Sequence, residues 1–227
     1  MRRLFEQVIR LEPQAPNGYS GMGWTHWWEV RFGWSPAPED SLKSARNFAE
    51  KAIELDDTFY AAPCLVGCIC LFDRNFEKAI TNGRLAKNLV PNHTFIVGFL
   101  AEILLFSGKV EEAIAEAELS WRLSPVAPAW VFAVLGAANA GCGRFEEALA
   151  AARDAMKTDP EFLEGHLVMA DGLVGLGRVK EARAKAKEIL KAHPRFSLAA
   201  FAKTQPFKEP AHLERYLGNL HKAGLPE

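Results

Sequence analysis

Three of the four cysteines fall in one short run, CLVGCIC (64–70). Thiols this close invite a metal-binding reading. On a helix, however, Cys64 and Cys68 share a face at i, i+4 while Cys70 points elsewhere, and no histidine stands at ligand spacing. Structural zinc sites use tighter Cys pairs with a second pair downstream. The run therefore reads as small thiols packed between helices, and Cys142, in a turn, is the thiol open to incidental oxidation. The six histidines are dispersed. His26 sits on a long helix, His93 and His193 flank prolines, and His212 and His221 lie near the end. His166 takes a slot suited to an aromatic and reads as a packed neutral imidazole. No phosphate loop, G-x-S-x-G or H-E-x-x-H pattern is present. The pairs Glu111/Glu112 and Glu146/Glu147 fit the solvated first turns of helices, where negative charge favours the dipole. These residues support neither catalysis, a cofactor nor a metal centre.

The elements that must position such residues are organised by a period. Prolines at 91, 125, 160 and 194 recur in steps of 34 or 35, as do alanines at 79, 113, 148 and 182 and the turn residues Arg74, Gly108, Gly143 and Gly177. A small-residue signature precedes each alanine: VG at 66–67, LA at 100–101, LG at 135–136 and MA at 169–170. Four marks in one register mean a repeat architecture. Each unit reads as two helices joined by a tight turn. In GRFEEALAAARDAMKTDP (143–160), Ala148, Ala152 and Ala155 line one helical face. Gly143 and Gly177 suit a turn needing φ > 0, and Pro160 ends the second helix. One helix pair cannot bury its own apolar face, so the units must stack.

This pattern resembles the tetratricopeptide repeat (TPR) family: Phe132 with Leu135 and Gly136, then Ala148, Ala152 and Ala155, then Pro160. Asn139 and Cys70 replace a tyrosine of that pattern, Gly83 a phenylalanine-like residue, and Pro63 an aromatic. The resemblance implies an all-α fold, a right-handed superhelix of helix-turn-helix units with C-terminal capping helices. The expected units are 16–59, 60–93, 94–128, 129–162 and 163–196, with a cap over 197–227. Residues 1–15 read as the second helix of a repeat whose first helix is missing, as though cut from a longer protein. Its two apolar stripes, Leu4/Val8/Leu11 and Phe5/Ile9, invite dimerisation. In the first unit the period is interrupted by about ten extra residues, counted from the repeat register, between Gly23 and Ala45. The segment GWTHWWEVRFGWSPAPED (23–40), which holds four of the six tryptophans, is expected to form a lengthened helix and a turn through SPAPED. Pro210 and Gly224 bound a last helix, roughly 210–223.

A narrower resemblance rests on WTHWWEVRFGW (24–34), the loop after it, FSL (196–198) and PFKEPAHLERYLGNLHKAGLPE (206–227). Together they look like the C-terminal TPR regions behind class III adenylate/guanylate cyclase domains of bacteria, and sometimes behind other signalling or DNA-binding domains. Glu209 stands where that ending has an N-cap aspartate, a loss of about 1 kcal/mol. The resemblance implies a non-catalytic, cytoplasmic interaction or regulatory region. In TPR geometry the first helices line a concave face. Its inward residues here would be Trp24, Trp27 and Trp28, then Ala61, Cys64, Cys68 and Leu71, then Phe95, Phe99, Glu102 and Leu105. Trp130, Ala133 and Ala137 follow, and then Glu164, Leu167 and Asp171. Lysine, arginine and asparagine are absent from these positions, apart from Asn17 at the entry, which argues against a peptide-carboxylate clamp. The face suits an amphipathic helix, or a segment of the parent protein, docked by burial. Two readings of the tryptophans stand side by side: a partner groove, or side chains that fill the superhelix. A spacer or dimerisation module is the alternative role, as is attachment to a transcriptional regulator. With 27 basic against 28 acidic residues, charge gives no case for nucleic acid, and no apolar run approaches the ~20 residues of a membrane span.

Overall fold

The computed structural model of the chain describes residues 2–124 and 127–227. Met1 and the repeat-marking Pro125 lie outside the described residues. The described residues form helices and connecting turns, without strands. The first helix, α1 (Arg2–Leu11), is followed by five antiparallel pairs. These are α2 (Pro16–Arg31) with α3 (Pro38–Leu55), α4 (Ala61–Phe72) with α5 (Phe76–Leu89), and α6 (Thr94–Phe106) with α7 (Val110–Leu123). Then come α8 (Ala129–Gly141) with α9 (Phe145–Thr158) and α10 (Leu163–Gly175) with α11 (Val179–Ala192). A short α12 (Leu198–Ala202) and α13 (Pro210–Lys222) finish the chain.

The turns inside the pairs explain the sequence marks. Gly108, Gly143 and Gly177 have φ between 73° and 79°, the left-handed conformation that closes a helix C-terminus. Around Gly143 two bonds complete the motif, Gly143 N–H to the Ala140 carbonyl and Arg144 N–H to that of Asn139. Arg74 occupies the same place with φ 61°, a conformation that costs a non-glycine residue about 1–2 kcal/mol.

Helix contacts follow the small-residue marks. A Cβ on Gly136 would stand 2.6 Å from Val168 of the next first helix and 3.3 Å from the Ala148 carbonyl of its own second helix. Gly136 therefore lets three helices meet. Each first helix is thus wedged between its own second helix and the next first helix, as α8 is between α9 and α10. The first helices α4, α6, α8 and α10 are buried almost all round, whereas α3, α5, α9 and α11 bury an alanine stripe and expose the opposite face. One large apolar core runs through the stack, and a second, smaller cluster of Ala127, Ala129, Val131, Phe132 and Ala155 lies around the start of α8.

The interruption in the first pair is shared among its parts. α2 has 16 residues against 13 in α6, α8 and α10, and α3 has 18 against 14 in the other second helices. The loop over 32–37 replaces a three-residue turn, and α3 already begins at Pro38, inside SPAPED.

Candidate functional site

The extended α2 carries its aromatic residues past the neighbouring first helix α4 to Phe99 of α6. Trp24 lies 4.6 Å from Phe99 of α6, ring centre to ring centre, and Phe99 stacks at 4.7 Å on Trp130 of α8. Trp27 contacts Trp24 edge-on at 5.4 Å. In the other direction Trp28 stacks on Phe32 at 5.1 Å, and Phe32 on Trp34 at 4.8 Å. The result is one aromatic ladder over the inner side of three repeats, with exposed ends: Trp34 is 69% exposed and Phe95, beside Trp130, 48%. Offset and edge-on pairs of this kind add roughly 0.5–1.5 kcal/mol each beyond burial.

The structure brings the expected groove residues together, most of them in the interior. Trp27, Cys64, Cys68, Leu71, Phe99, Glu102, Leu167 and Asp171 are buried. Trp24, Trp28 and Trp130 are half-buried against the core, and Phe95 faces solvent. Trp27 is fully enclosed and its indole N–H meets no acceptor among the described residues, a loss of about 1–3 kcal/mol that its packing must outweigh.

The inward acids are neutralised within the chain. Arg31, at the end of α2, donates from Nε to Glu102 at 2.9 Å and lies 3.6 Å from Glu164. Burial works against its charge, but the two carboxylates outweigh it and hold the guanidinium ionised above its ordinary range. The absence of inward arginine expected from the sequence is thus corrected: the insertion aims Arg31 inward. On α10, Asp171 accepts from Arg215 at 2.9 Å and from Asn219 at 2.8 Å, both on α13. Burial nevertheless raises the Asp171 pKa, outweighing both partners.

The inner side also carries a segment of the chain itself. After α12 the backbone turns and crosses the C-terminal ends of the first helices. Phe207 packs edge-on against Phe106 at 4.8 Å, and Lys208 N–H donates to the Phe106 carbonyl at 2.7 Å. Arg74 donates to the Phe207 carbonyl at 2.6 Å, which accounts for an arginine in the left-handed turn. Tyr216 is buried in the same place, and burial, with the Asp171 and Glu164 charges, pushes its hydroxyl pKa well up. The space left among Arg31, Glu102, Tyr216 and Phe207 is a cavity of about 40 Å³, room for water rather than for a ligand, which needs roughly 300 Å³ or more. Sequence reasoning missed Arg31, Phe207, Arg215 and Tyr216. Only Arg74, non-glycine at a glycine position, left a sequence signal.

Burial, and then the adjacent Cys64, push the Cys68 thiol well up, so it stays protonated. Among the described residues no three potential metal-ligating side chains converge, and no helix is long and apolar enough to cross a membrane.

The array of paired helices, small-residue contacts and left-handed turns is a TPR solenoid with C-terminal capping helices. Solved structures agree. PilW, described as a type IV pilus biogenesis factor, superposes with a TM-score of 0.66 at 18% identity, covering 90% of this chain and 88% of its own. TTC0263, a thermophilic TPR protein of Thermus thermophilus, gives 0.62 at 18%, covering 86% and 99%. YrrB, described as a TPR protein with an unusual peptide-binding site, gives 0.54 at 15%, covering 86% and 95%. Identities this low establish the fold alone. No family model matches the chain, and no curated protein does.

Proposed function

We propose that the chain is a non-catalytic protein-interaction region of a bacterial adenylate/guanylate cyclase-like signalling protein, and that its concave side recognises partners by apolar burial. The observation that carries the interaction reading is the segment already lying there. Phe207, held by backbone bonds at Lys208 and Arg74 and by packing on Phe106, has the chemistry of a bound peptide: an aromatic anchor with main-chain hydrogen bonds. A partner, or a segment of the parent, engages Trp24, Trp28, Phe95 and Trp130 over the buried Phe99 and competes with this strap beside Trp130, which lines the same cavity as Phe207. The interior members of the groove, such as Trp27, Cys64, Cys68, Leu71, Leu167 and Asp171, shape its floor. The cyclase context rests on the sequence resemblance of residues 24–34 and 206–227.

The test compares a cyclase parent carrying this region with a version lacking it, at matched catalytic-domain concentration, together with Phe207→Ala and Trp24→Ala/Trp28→Ala in the intact protein. The expected result is a change in turnover on truncation that the tryptophan pair reproduces and Phe207→Ala shifts the opposite way. Unchanged turnover throughout overturns the regulatory role. A second reading, a dimerisation module, is favoured by Leu4 and Leu11, which are 66% and 73% exposed on α1. Light scattering on the full chain, with and without Leu4→Glu, decides it: a monomer in both discards it.

A further inference from the structure

The outer side of the solenoid, where second helices lie beside one another, carries a charge pattern with one break. Between α5 and α7, Arg84 bonds to Glu112 at 2.7 Å, and one turn further on Lys87 bonds to Glu116 at 2.6 Å. In the repeat register Arg84 is the fifth residue after Ala79, and Glu112 directly precedes Ala113. The same two positions hold Glu50 and Lys78 on α3 and α5, and Arg153 and Glu181 on α9 and α11. These pairs are all of opposite sign. On α7 and α9 the positions hold Glu118 and Glu147, two like charges, and the place of the Lys87–Glu116 bridge is taken by Trp121 and Ala151. Here a groove of about 500 Å³ opens between α7 and α9, floored by α8 and lined by all four of these residues.

The chemistry of the groove calls for a cation. Glu147 has no ion-pair partner among the described residues, and Glu118 meets Arg122 of its own helix only at 3.8 Å. Asp154, also in the lining, is paired with Lys157. Arg144, the arginine of the lining, is held by Glu111 at 2.9 Å. Trp121 touches Phe132 edge-on and is 45% exposed. On the floor Asn139 is only 6% exposed. Its Nδ2 donates to the Leu135 carbonyl at 3.0 Å, which fixes the amide's orientation. Its Oδ1 is left without a donor among the described residues and is the polar atom it offers the groove.

A guanidinium answers these features together. It is planar and stacks on an indole face, and its fork of N–H donors suits carboxylates and an amide oxygen. An ammonium is a compact, strongly hydrated point charge that reaches fewer of them. Like charge turns a phosphate backbone away.

We propose that the groove between α7 and α9 is a docking site for an arginine-bearing segment of a protein partner, with the guanidinium on Trp121 between Glu118 and Glu147. The site shares no residue with the concave groove and goes beyond the reading given for it.

The experiment titrates the full chain with a capped Gly-Arg-Gly-Arg-Gly peptide, followed by calorimetry and by the NMR signal of the Trp121 indole N–H. Saturable one-to-one binding that shifts this signal is expected. Citrulline in place of arginine keeps the shape without the charge and should weaken binding at least tenfold, and lysine at least threefold. Trp121→Ala and Glu147→Gln, both at exposed positions, should each weaken it at least fivefold. Glu147→Lys supplies the cation from within the chain and should weaken it at least tenfold. Trp24→Ala/Trp28→Ala, on the concave side, should leave affinity unchanged. Absence of saturable binding, equal affinity for the citrulline or lysine peptide, or full binding by Glu147→Lys overturns the proposal. Loss of binding in Trp24→Ala/Trp28→Ala does so too, since the peptide then sits in the concave groove. So does a dimer of the free chain that Trp121→Ala dissolves, because a second copy then covers the face. The cyclase comparison uses no variant on α7 or α9, so the two proposals fail separately.

Discussion

At the scale of single residues, the interior polar groups determine how the molecule responds to pH. Asp171 is buried, and its raised pKa means the folded state holds this proton more tightly than the unfolded chain does. Its contribution to stability is complete below the unfolded value of about 3.9 and is lost as pH rises through the higher folded value. Asp171→Asn cannot titrate, yet it keeps an acceptor for Arg215 and Asn219. On going from pH 7 to pH 4.5, wild type should therefore gain in urea midpoint relative to Asp171→Asn. Equal shifts in the two proteins would refute the assignment. The resemblance to the TPR family implied an inner-face place for Asp171. Its partners Arg215 and Asn219 lie more than 40 residues on and share no pattern with it, so the charge compensation could not be foreseen. Arg74 is the opposite case. Its place in a register of glycines marks a strained turn, and the guanidinium bonds to the Phe207 and Lys208 carbonyls offset that strain.

At the scale of elements, the helix pairs and their turns were legible because each is specified locally. Small residues at close contacts, glycine in the left-handed turn and proline after the second helix act within a few residues of their own position. The distribution of the ten extra residues was less legible. A register count fixes the total, whereas their division among α2, the loop and α3 depends on where Trp28 and Arg31 find partners on α6 and α10. Element packing also sets thiol reactivity. Cys64, Cys68 and Cys70 are enclosed on α4, and Cys142 is exposed in the α8–α9 turn. Burial, and then Glu111, raise the Cys142 thiol pKa as well, so it reacts more slowly than a free thiol, but access still separates it from the others. A thiol reagent at pH 8 should modify one cysteine per chain while the fold is intact, and the other three at the rate of unfolding. Two or more fast thiols would contradict the packing of α4.

At the scale of the whole molecule, a solenoid is ordinarily held by neighbour-to-neighbour contacts. This one adds two long ties. Arg31 joins the first pair to α6 and α10, and the strap over 204–208 joins the cap to α4 and α6. Arg31→Met removes the cation from two inward carboxylates, and breaking a buried ion pair from one side costs about 3–5 kcal/mol. The loss should shrink on acidification, since like carboxylates left together take up a proton more readily. It should also separate the transitions: tryptophan fluorescence, dominated by the first repeat, should report a lower urea midpoint than helical circular dichroism. Coincident midpoints in the variant would show that the tie does not couple the ends.

The sequence by itself determined the architecture, since a period of 34 residues with small contacts, left-handed turns and terminating prolines has few packed solutions. It also placed Trp24, Trp27 and Trp28 on one helical face, which the resemblance to the TPR family implied would turn inward. Only the tertiary structure decided what they meet. Whether an inward face stays open depends on long-range partners, here Phe99, Trp130, Arg31 and Phe207, brought together from segments up to about 180 residues apart. No local rule links residues at that distance. The superhelix brings them together, and burial of apolar surface holds them there.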